Sequence, residues 1–111
     1  MVDKKLVSRE ILISLWKVHV LHHADEGGVV GTWMLDELRE HGYEVSPGTL
    51  YPMLRRLEAF GWLTSSTEGD GPRARRTYLI TDEGREVLGI ARRQLRELGA
   101  EVAGEEYATT T

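Results

Sequence analysis

Arginine side chains are concentrated in residues 46–81, where they could bind phosphate groups. Residues 46–81 contain five basic and three acidic residues, whereas residues 25–44 contain one basic and six acidic residues. The whole chain carries a formal net charge of −4. Guanidinium groups bind phosphate oxygens through their charge and their paired N–H donors. Because the local field governs phosphate contact, this segment is predicted to bind a polyanion although the chain is acidic. The five basic residues are Arg55, Arg56, Arg73, Arg75 and Arg76.

Two of these arginines lie on a predicted helix that begins after Ser46. Ser46 is a suitable N-cap, and Pro47 suits the first helical position, where a missing N–H costs nothing. Gly61 is placed to end the helix in a left-handed conformation. Pro52 predicts a distorted first turn or a late start, because an internal proline removes a hydrogen bond. Apolar residues recur at helical spacing and form one buried face. These residues are Leu50, Met53, Leu54 and Leu57.

The other three arginines lie in or beside a loop between two predicted strands. Residues 62–67 alternate loosely between apolar and polar, as a half-buried strand does, and residues 77–80 form the return strand. Residues 68–74, EGDGPRA, are rich in turn-forming residues. A helix, a strand, a basic loop and a second strand, in this order, describe the second half of a winged helix-turn-helix. That fold usually binds DNA.

Three further helices are predicted to complete this unit. The first is capped by Asp3 or Ser8 and runs to about Ala24, with an apolar surface so wide that we expect burial on more than one side. The second covers residues 32–41 and precedes the arginine-bearing helix closely enough for a helix-turn-helix. The last begins at about residue 83, and its apolar stripe is too long for so small a domain to cover, which predicts packing on a partner helix. The predicted dimer interface is formed by Leu12, Leu15, Val87, Leu88, Ala91, Leu95 and Leu98.

Composition excludes several other classes of protein. The 111 residues suit one small domain, and the lack of cysteine excludes disulfides and thiolate-bound zinc and fits a reducing cytoplasm. No apolar run approaches the roughly 18–20 residues of a membrane span, so we expect a cytoplasmic protein without membrane contact. Catalytic motifs such as a P-loop or a GxSxG elbow are missing, and the glycines near residue 28 do not follow a predicted strand. We therefore expect no enzymatic activity and no cofactor.

Two motifs resemble the PadR family of bacterial transcriptional regulators. Residues 48–63 contain GTLYP, LRRLE and GWL, and residues 76–81 read RTYLIT, with Gly84 following. The resemblance implies a homodimeric winged-helix repressor that binds an inverted-repeat operator in double-stranded DNA. In some members an aromatic ligand releases the DNA. The single terminal helix resembles the compact branch of the family, whereas residues 25–30 are longer and richer in glycine than the usual link.

Eight residues are predicted to contact DNA, although several also suit a structural role. Arg55 and Arg56 could instead form a solvated helix face, but we favour DNA contact. Tyr51 lies near the helix N-terminus, where recognition helices meet DNA, but it also suits packing with a hydrogen-bonded hydroxyl. Glu68 and Asp70 could partly neutralise the loop arginines. The predicted DNA-binding residues are Ser46, Thr49, Tyr51, Arg55, Arg56, Arg73, Arg75 and Arg76.

Two tryptophans are candidates for an aromatic ligand pocket. Trp16 and Trp33 lie on the first and second predicted helices, which the resemblance places near a dimer interface. Tryptophan is also an ordinary core residue, and the sequence does not separate these two interpretations.

The histidines of the first helix form the one metal-like pattern. His19 and His23 are four residues apart and share a helix face, as two-histidine zinc sites require. The sequence places no third ligand, although Asp25 is close. Histidines near a helix C-terminus also interact favourably with its dipole. We favour the dipole explanation and predict no metal site.

The predicted organisation is mainly α with a small β-hairpin wing. Residues 1–81 form a winged helix-turn-helix DNA-binding domain, residues 82–107 a C-terminal dimerisation helix, and residues 108–111 a frayed tail. The predicted function is that of a sequence-specific, dimeric repressor relieved by a small aromatic ligand. The alternative, which the acidic net charge favours, is a winged-helix protein-interaction module that does not bind DNA.

Overall fold

The computed structural model describes residues 1–104, which form five α-helices and one three-stranded sheet. The helices are α1 (Lys4–Val7), α2 (Ile13–Asp25), α3 (Gly31–Glu40), α4 (Pro47–Ala59) and α5 (Asp82–Val102). The strands are β1 (Val29–Val30), β2 (Leu63–Glu68) and β3 (Arg75–Ile80). A π-helical segment, Ser8–Leu12, joins α1 to α2, and a 3₁₀ turn, Gly71–Arg73, lies between β2 and β3. The predicted fold class, mainly α with a small β wing, is confirmed.

The N-terminal helical segment begins at Asp3, which was one of the two predicted caps. Its carboxylate accepts hydrogen bonds from the backbone N–H groups of Lys5 and Leu6, at 3.0 and 3.4 Å. These bonds satisfy donors that have no partner within the helix. The α2 helix then contributes four buried side chains to the core, as its wide apolar surface predicted. They are Trp16, Val20, Leu21 and Ala24.

The two helices of the helix-turn-helix, α3 and α4, lie within one residue of their predicted starts. The late start that Pro52 predicted is wrong, because α4 begins at Pro47 and continues through Pro52. The carbonyl that Pro52 leaves without a bond belongs to Gly48, and both residues are exposed, so water can solvate that carbonyl. The four apolar residues of α4 are all buried, as predicted.

The sheet contains a strand that the sequence did not predict. Its order is β1-β3-β2, and both pairs are antiparallel. The short β1 strand pairs Val29 with Tyr78 and Val30 with Thr77. The wing is therefore a hairpin with a third strand along one edge, and residues 26–30, which follow α2, are a turn followed by this strand. Gly28, with φ of +108°, forms the turn against the side chains of Thr77 and Leu79.

The start of α5 is fixed against the end of α4. The Thr81 hydroxyl accepts a hydrogen bond from the N–H of Gly84 and donates one to the carbonyl of Gly61. Gly84 is buried against the carbonyl of Trp62, and a Cβ at this position would overlap that oxygen. Only glycine therefore allows α5 to pack this closely on the base of the wing.

The far end of α5 differs from its predicted limit of residue 107. The helix ends at Val102, and Gly104 has φ of +85°, a conformation typical of the residue after a helix. The predicted tail, residues 108–111, lies outside the described residues. Within residues 1–104, no helix is both long and apolar enough to cross a bilayer.

Candidate nucleic-acid interface

A basic groove lies between α4 and the wing. Its volume is about 440 Å³.

 A larger cavity, of about 590 Å³, is lined by Val29, Trp33 and other residues of this region. The groove brings Arg55 of α4 together with the three wing arginines and the ring of Tyr51. Four guanidinium groups on one concave surface form a site for a polyanion. We call this surface the arginine groove; its arginines are Arg55, Arg73, Arg75 and Arg76.

The arginines of this region form no ion pairs with other residues in the described part of the chain. Within residues 1–104, no carboxylate lies within salt-bridge distance of any of the five predicted arginines. Glu68 is the cross-strand neighbour of Arg75 but does not form an ion pair with it. Glu58, the acidic residue of α4, accepts a hydrogen bond from Ser65 at 2.6 Å. The positive charge of the groove is therefore available to a ligand.

Tyr51 is a packing residue that also lines the arginine groove. Its ring packs against Gly31, where an added Cβ would overlap the ring, so Gly31 is required for the contact between α3 and α4. The same side chain is only partly buried and lines the arginine groove. The role of Gly31 could not be predicted from the sequence, because it depends on a contact between two helices.

Three other predicted DNA-binding residues lie outside the arginine groove. Arg56 is exposed, and its guanidinium carbon lies 5.9 Å from the centre of the Phe60 ring. Ser46 occupies the N-cap position of α4, but its hydroxyl lies 3.3 Å from the hydroxyl of Thr49 instead of accepting a backbone hydrogen bond. Ser46 and Thr49 line a separate cavity of about 420 Å³.

Basic residues that the DNA-binding prediction omitted surround this second cavity. Lys4, Lys5 and Arg9 line it together with Ser46 and Thr49. The N-terminal end of α4 thus has positive side chains on one side, and the arginine groove lies further along the helix. The clue in the sequence was the run of basic residues near the N-terminus, but only the fold places it beside α4.

The two candidate tryptophans lie in different environments. Trp16 is buried in the core, with its ring centre 5.6 Å from that of Tyr43, and it also borders the cavity beside Ser46. Trp33 is 48% exposed and lines the cavity of about 590 Å³ with His23 and Arg75. The two indoles therefore line separate cavities.

The predicted dimer residues divide between the core and the surface. Leu88 is only 1% exposed and belongs to the core of its own chain, so it is unavailable to a partner. Leu98 is 58% exposed, and Leu15 is also exposed. The remaining predicted residues are partly buried: Leu12, Val87, Ala91 and Leu95. Three exposed apolar residues that the prediction omitted lie on the same helical segments: Ile11, Ile90 and Val102.

The histidine pair of α2 lies against the side chain of Glu37 on α3. The rings of His19 and His23 are stacked, with centres 5.1 Å apart. Burial lowers the pKa of His19 below its ordinary value of 6.5, the neighbouring His41 and His23 lower it further, and Glu37 opposes them. Asp25, the acid nearest in sequence, instead pairs with Arg85 of α5 at 3.0 Å.

The helix-turn-helix, the three-stranded wing and the arginine groove define a winged helix-turn-helix protein. The sequence model of the Transcriptional regulator PadR-like family matches residues 20–90. Transcriptional regulator Rv3488 of Mycobacterium tuberculosis is 48% identical over 101 residues, which cover 91% of this chain and 94% of that protein. The chain therefore belongs to the PadR family, and it is a transcriptional regulator rather than an enzyme.

Solved structures of family members have the same fold. A PadR family transcriptional regulator from Eggerthella lenta superposes with a TM-score of 0.72 at 31% identity, covering 90% of this chain and 91% of that chain. The PadR-like transcriptional regulator BC4206 from Bacillus cereus gives a TM-score of 0.76 at 26% identity, covering 85% and 93%.

Proposed function

We propose that this chain is a dimeric, sequence-specific DNA-binding repressor. The observation that supports this most is the arginine groove, in which α4 and the wing present to one concave surface arginines without an ion-pair partner among residues 1–104. DNA phosphates are the polyanion expected for a transcriptional regulator.

In this proposal α4 enters the major groove and the wing contacts the adjacent backbone. The exposed face of α4 carries Arg55 and Arg56, which have the length and the paired donors needed to reach guanine or phosphate. Arg73, Arg75 and Arg76 contact phosphates beside the recognition helix. Lys4 and Lys5 extend the positive surface past the N-terminal end of α4.

The proposed dimer forms through α5 and the N-terminal helical segment. Leu98 and Val102 of α5 and Ile11 of the π-helical segment are exposed apolar side chains. Exposed apolar surface on a long helix is typical of an interface. Two protomers would place their α4 helices about 34–36 Å apart, one turn of DNA, and would read an inverted repeat.

For an aromatic effector we propose the cavity beside Trp33. This cavity measures about 590 Å³, a size that suits a small planar compound, and Arg75 of the wing forms part of its wall. A ligand there would contact the wing directly. It would release DNA only if it bound the DNA-free conformation more tightly than the DNA-bound one.

The test is fluorescence anisotropy on duplex DNA from upstream of the gene, with random duplex in parallel at several salt concentrations. We expect selective binding of two protomers per site. Replacing Arg73, Arg75 and Arg76 together with alanine should reduce the slope of log affinity against log salt by about three, since each phosphate contact contributes about one. Full binding by this triple variant would contradict the proposed role of the wing.

The same titration separates the repressor from a protein-interaction module. The acidic net charge of −4 favours the module. A module would bind neither duplex even at low salt, and the triple variant would then have no DNA affinity to lose.

A further inference from the structure

Four side chains, from α2, α3 and the residue directly after α3, form a cluster outside the arginine groove. His19, His23 and Glu37 each offer one ligand atom, and these atoms all lie within 4.8 Å of one another. His41, directly after α3, lies beside them. Its Nε2 is 3.1 Å from Oε1 of Glu37, and its ring centre is 4.6 Å from that of His19. Imidazole nitrogens with one carboxylate are a ligand set that suits zinc and neighbouring transition metals.

One nitrogen of this cluster lacks the partner that burial requires. Nδ1 of His23 lies 2.8 Å from a carboxylate oxygen of Glu26, and an ionised carboxylate only accepts, so Nδ1 carries the proton. Nε2 of His23 then carries a lone pair instead of a proton, and this atom is buried without a hydrogen-bond partner among residues 1–104. The nearest carboxylate oxygen of Glu37 is 3.5 Å away and also bears lone pairs. In this tautomer the two atoms face each other favourably when a cation lies between them.

We propose that His19, His23 and Glu37 bind one divalent transition-metal ion of the zinc type, with His41 as a fourth ligand. Ligand atoms about 2.0–2.1 Å from a tetrahedral zinc ion lie about 3.4 Å apart, close to the His23–Glu37 separation. The carboxylate of Glu26 accepts a hydrogen bond from Nδ1 of His23. Metal-binding histidines are commonly oriented in this way by a carboxylate that does not itself bind the metal. Nitrogen ligands exclude magnesium and calcium, which prefer oxygen.

A second candidate set, His22, His23 and Glu26, shares His23 but is less suitable. Nδ1 of His22 lies 3.0 Å from a guanidinium nitrogen of Arg92, and because arginine only donates, that lone pair is already in use. Glu26 is the more exposed carboxylate and already accepts from His23. His22 therefore provides a matched control on the same helix.

The ion would join α2 to α3, the first helix of the helix-turn-helix. A regulatory effect of the ion rests on the proposed function, because it requires DNA binding. Zinc would change DNA affinity to the extent that it binds the DNA-bound and free conformations differently.

The experiment is isothermal titration calorimetry of ZnCl₂ into full-length protein that has been treated with a chelator and dialysed, without DNA. We expect one zinc ion per chain. His19→Ala and Glu37→Gln should each weaken binding by at least about 100-fold, since loss of an outer partner alone costs 10–100-fold. His22→Ala should bind as the unchanged protein does, and circular dichroism would establish that each variant is folded.

Three results would overturn the proposal. The first is an absence of zinc binding by the unchanged protein. The second is loss of binding in His22→Ala with retention in Glu37→Gln, which would place the ion in the other set. The third is equal binding by all folded variants, which would mean adventitious surface ions. Repeating the DNA titration with zinc tests the regulatory effect separately, and an unchanged DNA affinity would exclude that effect while leaving the site intact.

Discussion

The helices α4 and α5 are both amphipathic, but they use their apolar faces differently. All four apolar residues of the α4 stripe are buried in the core of the chain. The α5 helix, although longer, buries only Leu88 of its large apolar side chains, and Leu98 and Val102 are exposed. The polar face of α4 is exposed where we propose that DNA binds, and the far end of α5 exposes apolar side chains where we propose that a partner protomer packs. The comparison shows that an apolar stripe on a helix does not ensure burial within its own chain.

The largest expected effect is on the free energy of unfolding when a buried side chain of α4 is truncated. Leu54→Ala removes a side chain that is 0% exposed and leaves a cavity, and it should lower the free energy of unfolding by about 2–5 kcal/mol. Urea denaturation at fixed protein concentration measures this. Leu79→Ala, on the exposed face of β3, is the control and should cost much less. Equal losses would contradict the assignment of the α4 stripe to the core.

Two glycines of α5 should respond to alanine with opposite signs. Gly84→Ala forces a Cβ into the carbonyl of Trp62 and should destabilise the protein by about 1–3 kcal/mol. At Gly89 an added Cβ meets no atom within 4 Å, and alanine should stabilise the helix by up to about 1 kcal/mol. Thermal unfolding of both variants checks the difference. The same sign for both would refute the close packing at Gly84.

The exposed end of α5 should control association. Leu98→Ala should raise the dimer dissociation constant about tenfold, because it truncates an apolar contact at the proposed interface. Sedimentation velocity over a dilution series measures this constant. Leu79→Ala should leave it unchanged, and a monomeric unchanged protein would exclude the dimer altogether.

The smallest expected effect is a change in the salt dependence of DNA binding when one arginine is removed from α4 or from α5. Arg55→Ala should reduce the salt slope of DNA binding by about one, because Arg55 lines the arginine groove. Arg93→Ala removes the same charge from the exposed surface of α5 and should leave the slope unchanged. Equal slopes for the two variants would show that α4 does not contact phosphate through Arg55.

Local chemistry explains why much of the fold was predictable. The α4 helix, its glycine stop at Gly61 and the two long strands of the wing follow from neighbouring residues. Two residues cannot show a strand pattern, so β1 was missed; Val29 and Val30 form a strand because β3 offers them an edge. Pro52 was misjudged because the cost of its missing N–H depends on whether Gly48 is exposed to water.

The candidate sites were less predictable because they combine distant segments. The charge pattern identified the wing arginines, but the position of Lys4 and Lys5 beside α4 depends on the packed fold. Likewise, no third ligand for His19 and His23 could be placed from the sequence, whereas in the fold α3 brings Glu37 beside them. The prediction that no metal binds rested on that missing ligand, and it stays a prediction until the zinc titration is made.

The close packing of Gly84 against Trp62 also affects how α5 can move relative to α4. Thr81 and Gly84 fix the start of α5 to Gly61 and Trp62, at the end of α4, so the two helices turn together. The 21 residues of α5 make a helix about 32 Å long, so a tilt of about 5° displaces its far end by about 3 Å. A small change in the angle between two paired α5 helices would therefore alter the spacing of the two α4 helices without bending either chain.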